Sequence, residues 1–227
     1  MPKVILRLSP SRLSPQAARS LRERIVQCLI ELDKLSTTDP LASPHAGDFD
    51  LNPRPPVTPE LIPAAVLVPL VSRPQGFTIL LTQRTEHLHD HAGQISFPGG
   101  RVEAFDDGPV ATALRETEEE IRLNRRFVEI AGALDNYETA TGFLVTPVVG
   151  FVRPGFTLEP DRFEVADIFE MPLAFVLDPT HHQTASRVVC GKERTFYVFE
   201  YREHFIWGAT AGMLMNLFRR LSDQTYT

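Results

Sequence analysis

Residues 99–123 read GGRVEAFDDGPVATALRETEEEIRL, and the rest of the chain has to be organised around this stretch. Pro109 is well placed to open a helix, because the N–H it lacks would be unsatisfied in a first turn anyway. From Val110 to Ile121 no glycine or proline interrupts the run. At about 100° per residue, Glu116 and Glu120 fall one turn apart with Glu119 between them, a carboxylate arc roughly 100° wide. Val110, Leu114, Thr117 and Ile121 fall on a separate stripe able to pack on a sheet. Glu118 lies outside the arc and is expected to be solvated. Like charges at these spacings destabilise a bare helix by a few tenths of a kcal/mol per pair. Three clustered carboxylates nevertheless suit a hard divalent cation such as Mg²⁺, which takes oxygen ligands and keeps several waters. Arg115 could hold one carboxylate by a bidentate contact. Thr-Glu-Glu-Glu taken alone reads more readily as an acidic, solvated helix face.

Working outward, AAVLVPLV (64–71) and FTILLTQR (77–84) are apolar, β-rich runs separated by Arg73-Pro74-Gln75-Gly76, which predicts a hairpin. Downstream, FVEIAGAL (127–134) and FLVTPVVGFV (143–152) read as strands, and FEMPLAFVL (169–177) as a short strand entering a helix. RTFYVFEYREHFIW (194–207) suggests a final strand pair. Gly208 to Leu221 reads as a closing helix with Met213, Leu214, Leu217 and Leu221 inward. Strands, helix, strands, helix is an α/β or α+β order, with a mixed sheet packed by helices. Near the N-terminus, Ser14-Pro15 offers a hydroxyl cap and a proline at the first helical position. Ala18, Leu21, Ile25, Leu29 and Leu32 then predict a packing helix over about 15–35. Prolines at 40, 44, 53, 55, 56, 59 and 63 make residues 36–63 an irregular arm. The expected organisation is a helix and proline-rich arm over 1–63 packing on a domain at 64–222. The arm and helix could also make a homodimer contact.

Composition bounds the partners. The chain has 227 residues, enough for one sizeable domain, with 43% hydrophobic and 23% charged residues. A formal net charge of −6 argues against a broad nucleic-acid surface. It still permits a polyanionic small molecule if divalent cations lie between the two sets of negative charge. The two cysteines, Cys28 and Cys190, exclude a disulfide scaffold and suit a reducing cytosol, so a cytoplasmic location is expected. No apolar stretch approaches the roughly 20 residues of a spanning helix, so no membrane partner is expected. MPKVILRLSP lacks the pattern of a secretory signal, and Glu23, Glu31 and Asp33 favour a folded helix over a transit peptide.

Gly-Gly, an acidic loop and then Arg115-Glu116-Thr117-Glu118-Glu119-Glu120-Ile121-Arg122-Leu123 resembles the Nudix box. That box reads Gly, five residues, Glu, seven residues, Arg-Glu, an apolar or small residue, any residue, Glu-Glu, any residue, Gly and an apolar residue. Its second half matches at every position but one, and its first half fits only with one extra residue between Gly100 and Arg115. The longer spacing looks like the coenzyme A pyrophosphatase branch of the Nudix hydrolases. Leu80-Leu81-Thr82-Gln83-Arg84-Thr85, and Leu88 through Gly100, are similar to that branch's additional signature. Leu134-Asp135-Asn136-Tyr137, Thr141-Gly142-Phe143 and Trp207-Gly208 look like it too. The resemblance spans roughly residues 64–220.

The resemblance implies a Nudix fold, a curved mixed β-sheet sandwiched between helices, and Mg²⁺- or Mn²⁺-dependent hydrolysis of coenzyme A or acyl-CoA to 3′,5′-ADP and a 4′-phosphopantetheine. Other nucleoside diphosphate derivatives (ADP-ribose, NADH) remain open as substrates, as does a non-catalytic nucleotide binder. It also implies that Glu116 and Glu120 are metal ligands, that Glu119 is a ligand or base, and that the Gly99-Gly100 backbone offers the metal a carbonyl. Arg115 would orient the carboxylates or form a plain ion pair. Glu164 is a base outside the box, or else a surface or capping residue. Arg84 faces a substrate phosphate or forms a structural ion pair, and His91 contacts substrate or is satisfied by loop backbone. Two departures stand out. His89 occupies the place where the branch usually carries Arg, making a phosphate contact weaker or pH-dependent. Arg122 replaces the box glycine, and since a non-glycine residue at positive φ costs on the order of 1 kcal/mol, the helix is expected to end differently, at Asn124.

Overall fold

The hairpin forms as the two apolar runs demand: β2 (Ile62–Arg73) and β3 (Gly76–Arg84) pair antiparallel with Arg73 opposite Gly76. A computed structural model describes residues 14–31, 45–54, 60–88, 91–189 and 191–223. The prolines at 40, 44, 55, 56 and 59, His89 and Cys190 therefore lie outside the described residues. Upstream, α1 (Pro15–Cys28) begins on the predicted cap, with the Ala17 N–H donating to Ser14 Oγ at 3.2 Å. It ends earlier than the expected residue 35, because Leu29 turns extended and Ile30 bridges to Ala133. Part of the expected arm is regular: β1 (His45–Gly47) joins a sheet edge, followed by a 3₁₀ turn at Asp48–Asp50.

Along the chain β4 (Ile95–Ser96), β5 (Gly99–Arg101), α2 (Gly108–Ile121), β6 (Val128–Ala133), β7 (Asn136–Glu138), β8 (Phe143–Val152), β9 (Val165–Pro172) and α3 (Leu173–Leu177) follow. The main sheet runs β1-β7-β8-β2-β3-β4, with β5 on β2, β6 on β8 and β9 on β3. β2 and β8 are parallel neighbours from Ile62 opposite Phe143 to Val71 opposite Val152, so both strands are buried on both faces. Alternation along β2 sends Ala65, Leu67 and Val71 to the α2 side, where they meet Ala113, Ile121, Val148 and Val152. Ala64, Val68 and Leu70 face the other way, into the larger core with Ile25, Leu214 and Leu217. The sheet thus lies between α2 and the other helices, the mixed-sheet sandwich the sequence implied.

β2 and β3 pair only near their turn, from Leu70–Ile79 to Arg73–Gly76. Beyond it they part, and β5 lines the β2 side of the gap while β4 lines the β3 side. The segment joining β4 to β5 therefore crosses the split between the two central strands.

The C-terminal part holds one strand more than expected. β10 (Gln183–Val189), β11 (Lys192–Tyr201) and β12 (His204–Trp207) form a small antiparallel sheet, and α4 (Ala209–Asp223) packs beneath it. β10 is exposed nearly throughout, so no buried face imposes the apolar alternation that reveals a strand. Among the described residues no helix is long and apolar enough to cross a membrane.

Two expectations for α2 are corrected. Glu118 is not simply solvated: its carboxylate accepts the Arg125 backbone N–H and Nε, both at 2.8 Å, tying the helix end to the next turn. The helix also ends at Arg122 rather than Asn124. Arg122 sits in the left-handed region at φ 56°, and its N–H closes on Glu118 O at 3.1 Å. Asn124 instead caps the following 3₁₀ turn. The glycine-type ending is kept without glycine because Ile121 and Leu123 on either side are buried and fix the chain direction. Since the Arg122 side chain is exposed, Arg122→Gly should raise stability by about 1 kcal/mol in chemical denaturation.

Candidate active site

Four segments meet at the split in the sheet. α2 contributes Arg115, Glu116, Glu119 and Glu120; the β4–β5 crossing contributes Gly99 and Gly100; the end of β3 contributes Arg84; the loop before β9 contributes Glu164. That loop is held by the unpaired carbonyls at the C-terminus of α2, which need partners from outside the helix. Glu159 N–H donates to Ile121 O at 3.0 Å, and Asp161 N–H donates to Glu120 O at 2.8 Å. On its other side the Thr85 N–H donates to Glu164 O at 3.0 Å, which fixes Glu164 beside the end of β3.

Glu120 is the electrostatic centre. It is 5% exposed, and burial pushes its carboxyl up to about 8. The Arg84 charge pulls it down, Glu164 and Glu116 push it up, and a hydrogen bond from the Gly99 backbone lowers it slightly. One Glu120 oxygen, Oε2, is buried with no hydrogen-bond partner, and so is Nε of Arg84. Glu116 is half-buried and is also shifted upward, first by burial and further by Glu119 and Glu164, with Arg115 opposing. Glu119 is largely exposed and is held by Arg115 at 3.0 Å.

Arg115 organises the helix face. Its Nε and Nη2 make a bidentate pair with Asp106, both at 2.9 Å, while Nη1 reaches Glu116 at 2.8 Å and Nη2 reaches the Arg101 carbonyl at 3.3 Å. The Arg115 guanidinium holds the Asp106 carboxyl well below the usual range, helped by hydrogen bonds from the Glu103 backbone and the Thr112 hydroxyl. Asp106 was noted in the sequence only as part of an acidic loop. The signal for its place is in the sequence: the box expects an acid after five residues beyond Gly100, and Asp106, six positions on, stands there. The extra residue falls between Asp106 and Arg115, where a side chain one methylene shorter than Glu takes the contact.

The two glycines do different work. A Cβ on Gly99 would lie 2.4 Å from Ala65 O and 2.5 Å from Val66 Cα, at φ 155°, so the crossing segment needs glycine to lie against β2. A Cβ on Gly100 would meet the Glu116 carboxyl carbon at 2.5 Å, in the space in front of the helix carboxylates. Gly99→Ala should therefore cost about 2–3 kcal/mol in chemical denaturation, since rigid backbone cannot give way. Gly100→Ala should cost less than Gly99→Ala yet lower turnover, because it meets only the far end of the Glu116 side chain and displaces that carboxylate.

Of the residues singled out from sequence, Arg84, Gly99, Gly100, Arg115, Glu116, Glu119, Glu120 and Glu164 are brought together. His91 is exposed, at φ 59°, with Nδ1 2.9 Å from the Gln94 side chain. Its partner is thus a side chain of its own loop rather than the expected loop backbone.

Residues 61–190 match the NUDIX domain. The chain belongs to the Nudix hydrolase family, enzymes acting on phosphoric anhydride bonds. It is similar to "Uncharacterized Nudix hydrolase NudL" of Escherichia coli K12, 42% identical over 154 residues, covering 68% of this chain and 80% of that protein. The protein of the same description from Photorhabdus laumondii is 42% identical over 156 residues, covering 68% of this chain and 82% of its own. Among solved structures, the MutT protein of Methanosarcina mazei Go1 matches with a TM-score of 0.48 at 19% identity, covering 75% of this chain and 99% of its own. The NUDIX domain of Shewanella oneidensis NrtR, solved with ADP ribose, matches with a TM-score of 0.41 at 22% identity, covering 57% and 84%.

Members of the family generally use divalent metal ions, and the residues present fit such an ion. A buried Glu120 oxygen without a donor, and the Glu116 carboxylate packed against Gly100, are hard oxygen ligands on one helix face. Among the described residues no three His, Cys, Asp or Glu side chains already close into a cage. That is compatible with Mg²⁺, which keeps waters and binds through one or two carboxylates plus substrate phosphate.

Proposed function

We propose that the chain hydrolyses the diphosphate of coenzyme A or acyl-CoA to 3′,5′-ADP and a 4′-phosphopantetheine, with Mg²⁺ or Mn²⁺ as cofactor. The observation that carries this reading is the convergence of Glu116, Glu120, Glu164 and Arg84 around the Gly99-Gly100 crossing. The upstream runs that resemble the coenzyme A branch, Leu80 to Thr85 and Leu88 to Gly100, supply Arg84, Gly99 and Gly100 to that place. Glu116, Glu120 and the Gly100 carbonyl would hold the cation, with Glu119 as a further ligand or a base. When bound, the ion supplies charge neutralisation and polarises a phosphoryl oxygen.

The chain's own residues do the rest. Arg84, with an unused buried Nε, faces the diphosphate and binds a non-bridging oxygen. Arg115 keeps Glu116 and Glu119 in register on the helix. Glu164, or Glu119, takes a proton from the attacking water. The water oxygen bonds to one phosphorus, the bridging P–O bond breaks, and the leaving phosphate keeps the bridging oxygen. Two phosphate monoesters result.

ADP-ribose or NADH is the second reading, favoured by His89 standing where the coenzyme A branch carries Arg. Mass spectrometry of products from purified protein with Mg²⁺ and coenzyme A should give 3′,5′-ADP and 4′-phosphopantetheine. Turnover of ADP-ribose or NADH without any of coenzyme A would sink the substrate assignment.

A further inference from the structure

A concavity lies along the strand that follows Glu164. Among the described residues β9 pairs with β3 on one side and with no strand on the other, so its outer edge presents free backbone groups. Beside that edge is a hollow of about 380 Å³ lined by Leu80, Leu158, Ile168, Phe169, Tyr201 and His204. Leu80 and Ile168 belong to the α2 side of the sheet. Phe169 stacks on His204 on the opposite side, ring centroids 3.6 Å apart. The hollow therefore wraps the strand edge, walled by the segment carrying Leu158 and by the β11–β12 turn.

Two charged side chains, Glu170 and Arg202, line it as well. Glu170, at its margin, is already paired with Arg73 and accepts the Thr78 hydroxyl. Arg202 lies over the Tyr201 ring. A nucleotide with three phosphates would find a single guanidinium there, whereas an uncharged chain with an apolar end matches Leu80, Leu158, Ile168 and Phe169. From Glu164 to Phe169 is five residues, roughly 16 Å of strand. The pantetheine arm is an extended chain about as long as four or five residues, and it carries two amides.

Resting on the coenzyme A reading above, we infer that the outer edge of β9 and this hollow form the subsite for the pantetheine arm. The two amides pair with free N–H and C=O groups of β9, as an added strand would. The thiol or acyl end lies among Leu80, Leu158 and Phe169, and the diphosphate remains at Glu120 and Arg84. Specificity for the arm then comes from residues outside the box, and the 3′,5′-ADP end binds elsewhere.

Leu158→Trp fills the hollow at its half-buried wall without touching the carboxylate cluster. Product inhibition of coenzyme A hydrolysis separates the two ends of the substrate. The inhibition constant of 4′-phosphopantetheine should rise roughly tenfold, while that of 3′,5′-ADP stays within about twofold. Tyr201→Trp, on the other wall, should act in the same direction and serves if Leu158→Trp does not fold. Unchanged inhibition by 4′-phosphopantetheine in a folded variant that still hydrolyses coenzyme A would overturn the subsite alone. Absence of coenzyme A hydrolysis by the unaltered protein would remove the substrate reading, and the subsite with it.

Discussion

Glu120→Gln is expected to lower metal-dependent turnover by roughly 10³-fold, the scale on which one preorganised electrostatic group acts. The same change should leave the metal-free protein at least as stable. Its carboxylate is buried beside Glu116 and Glu164, with one oxygen unpartnered, so its charge opposes folding. The native acidity, near 8, lies above the ordinary value of 4.5, so between these pH values the folded state binds more protons than the unfolded one. Stability of the metal-free protein should therefore fall as pH rises through that window. Glu120→Gln should flatten the fall, and Mg²⁺ should raise the melting temperature more at pH 8 than at pH 5. Thermal melts across this range, with and without the ion, check each part.

Arg115→Met should be more damaging to the fold than any other single change at the site. Asp106, with 3% of its side chain exposed, would lose its bidentate partner, and Glu116 and Glu119 would lose the cation between them. Breaking a buried pair from one side costs about 3–5 kcal/mol because a charge is left uncompensated. The lower part of that range is expected, since Arg115 is 17% exposed. Arg115→Lys should recover only part of it, as an ammonium cannot make the forked contact. Asp106→Asn should remove most of the additional penalty in a double-mutant cycle with Arg115→Met. The contribution of the depressed Asp106 carboxyl is present above the usual Asp range and is lost on acidification below it. Urea denaturation at neutral pH measures the first effect, and repeating it at low pH measures the last.

The hairpin at Arg73–Gly76, α2 and its carboxylate arc were legible because their periodicities are those of elements with one buried face. β10 was not, since almost none of its side chains is buried. The stripe assigned to α2 was slightly rotated: Thr112, Ala113, Thr117 and Ile121 are buried, while Val110 and Leu114 are only half so. Glu120 belongs to the buried face as well as to the acidic arc, and a wheel that separates polar from apolar residues cannot see that. Arg122 exposed the limit of residue preference, because packing of its neighbours outweighed the cost of a left-handed arginine. The convergence of Arg84 and Glu164 on Glu120 depends on the loop that closes the helix C-terminus, a long-range contact invisible to any local pattern.

The account rests on the α2 carboxylates as the seat of a divalent cation. Mn²⁺ titration followed by electron paramagnetic resonance, on the unaltered protein and on Glu116→Gln and Glu120→Gln, measures that seat without any assumption about substrate. Binding in the unaltered protein that weakens at least tenfold in each variant is the expected result. Equal Mn²⁺ affinity in all three proteins would contradict it.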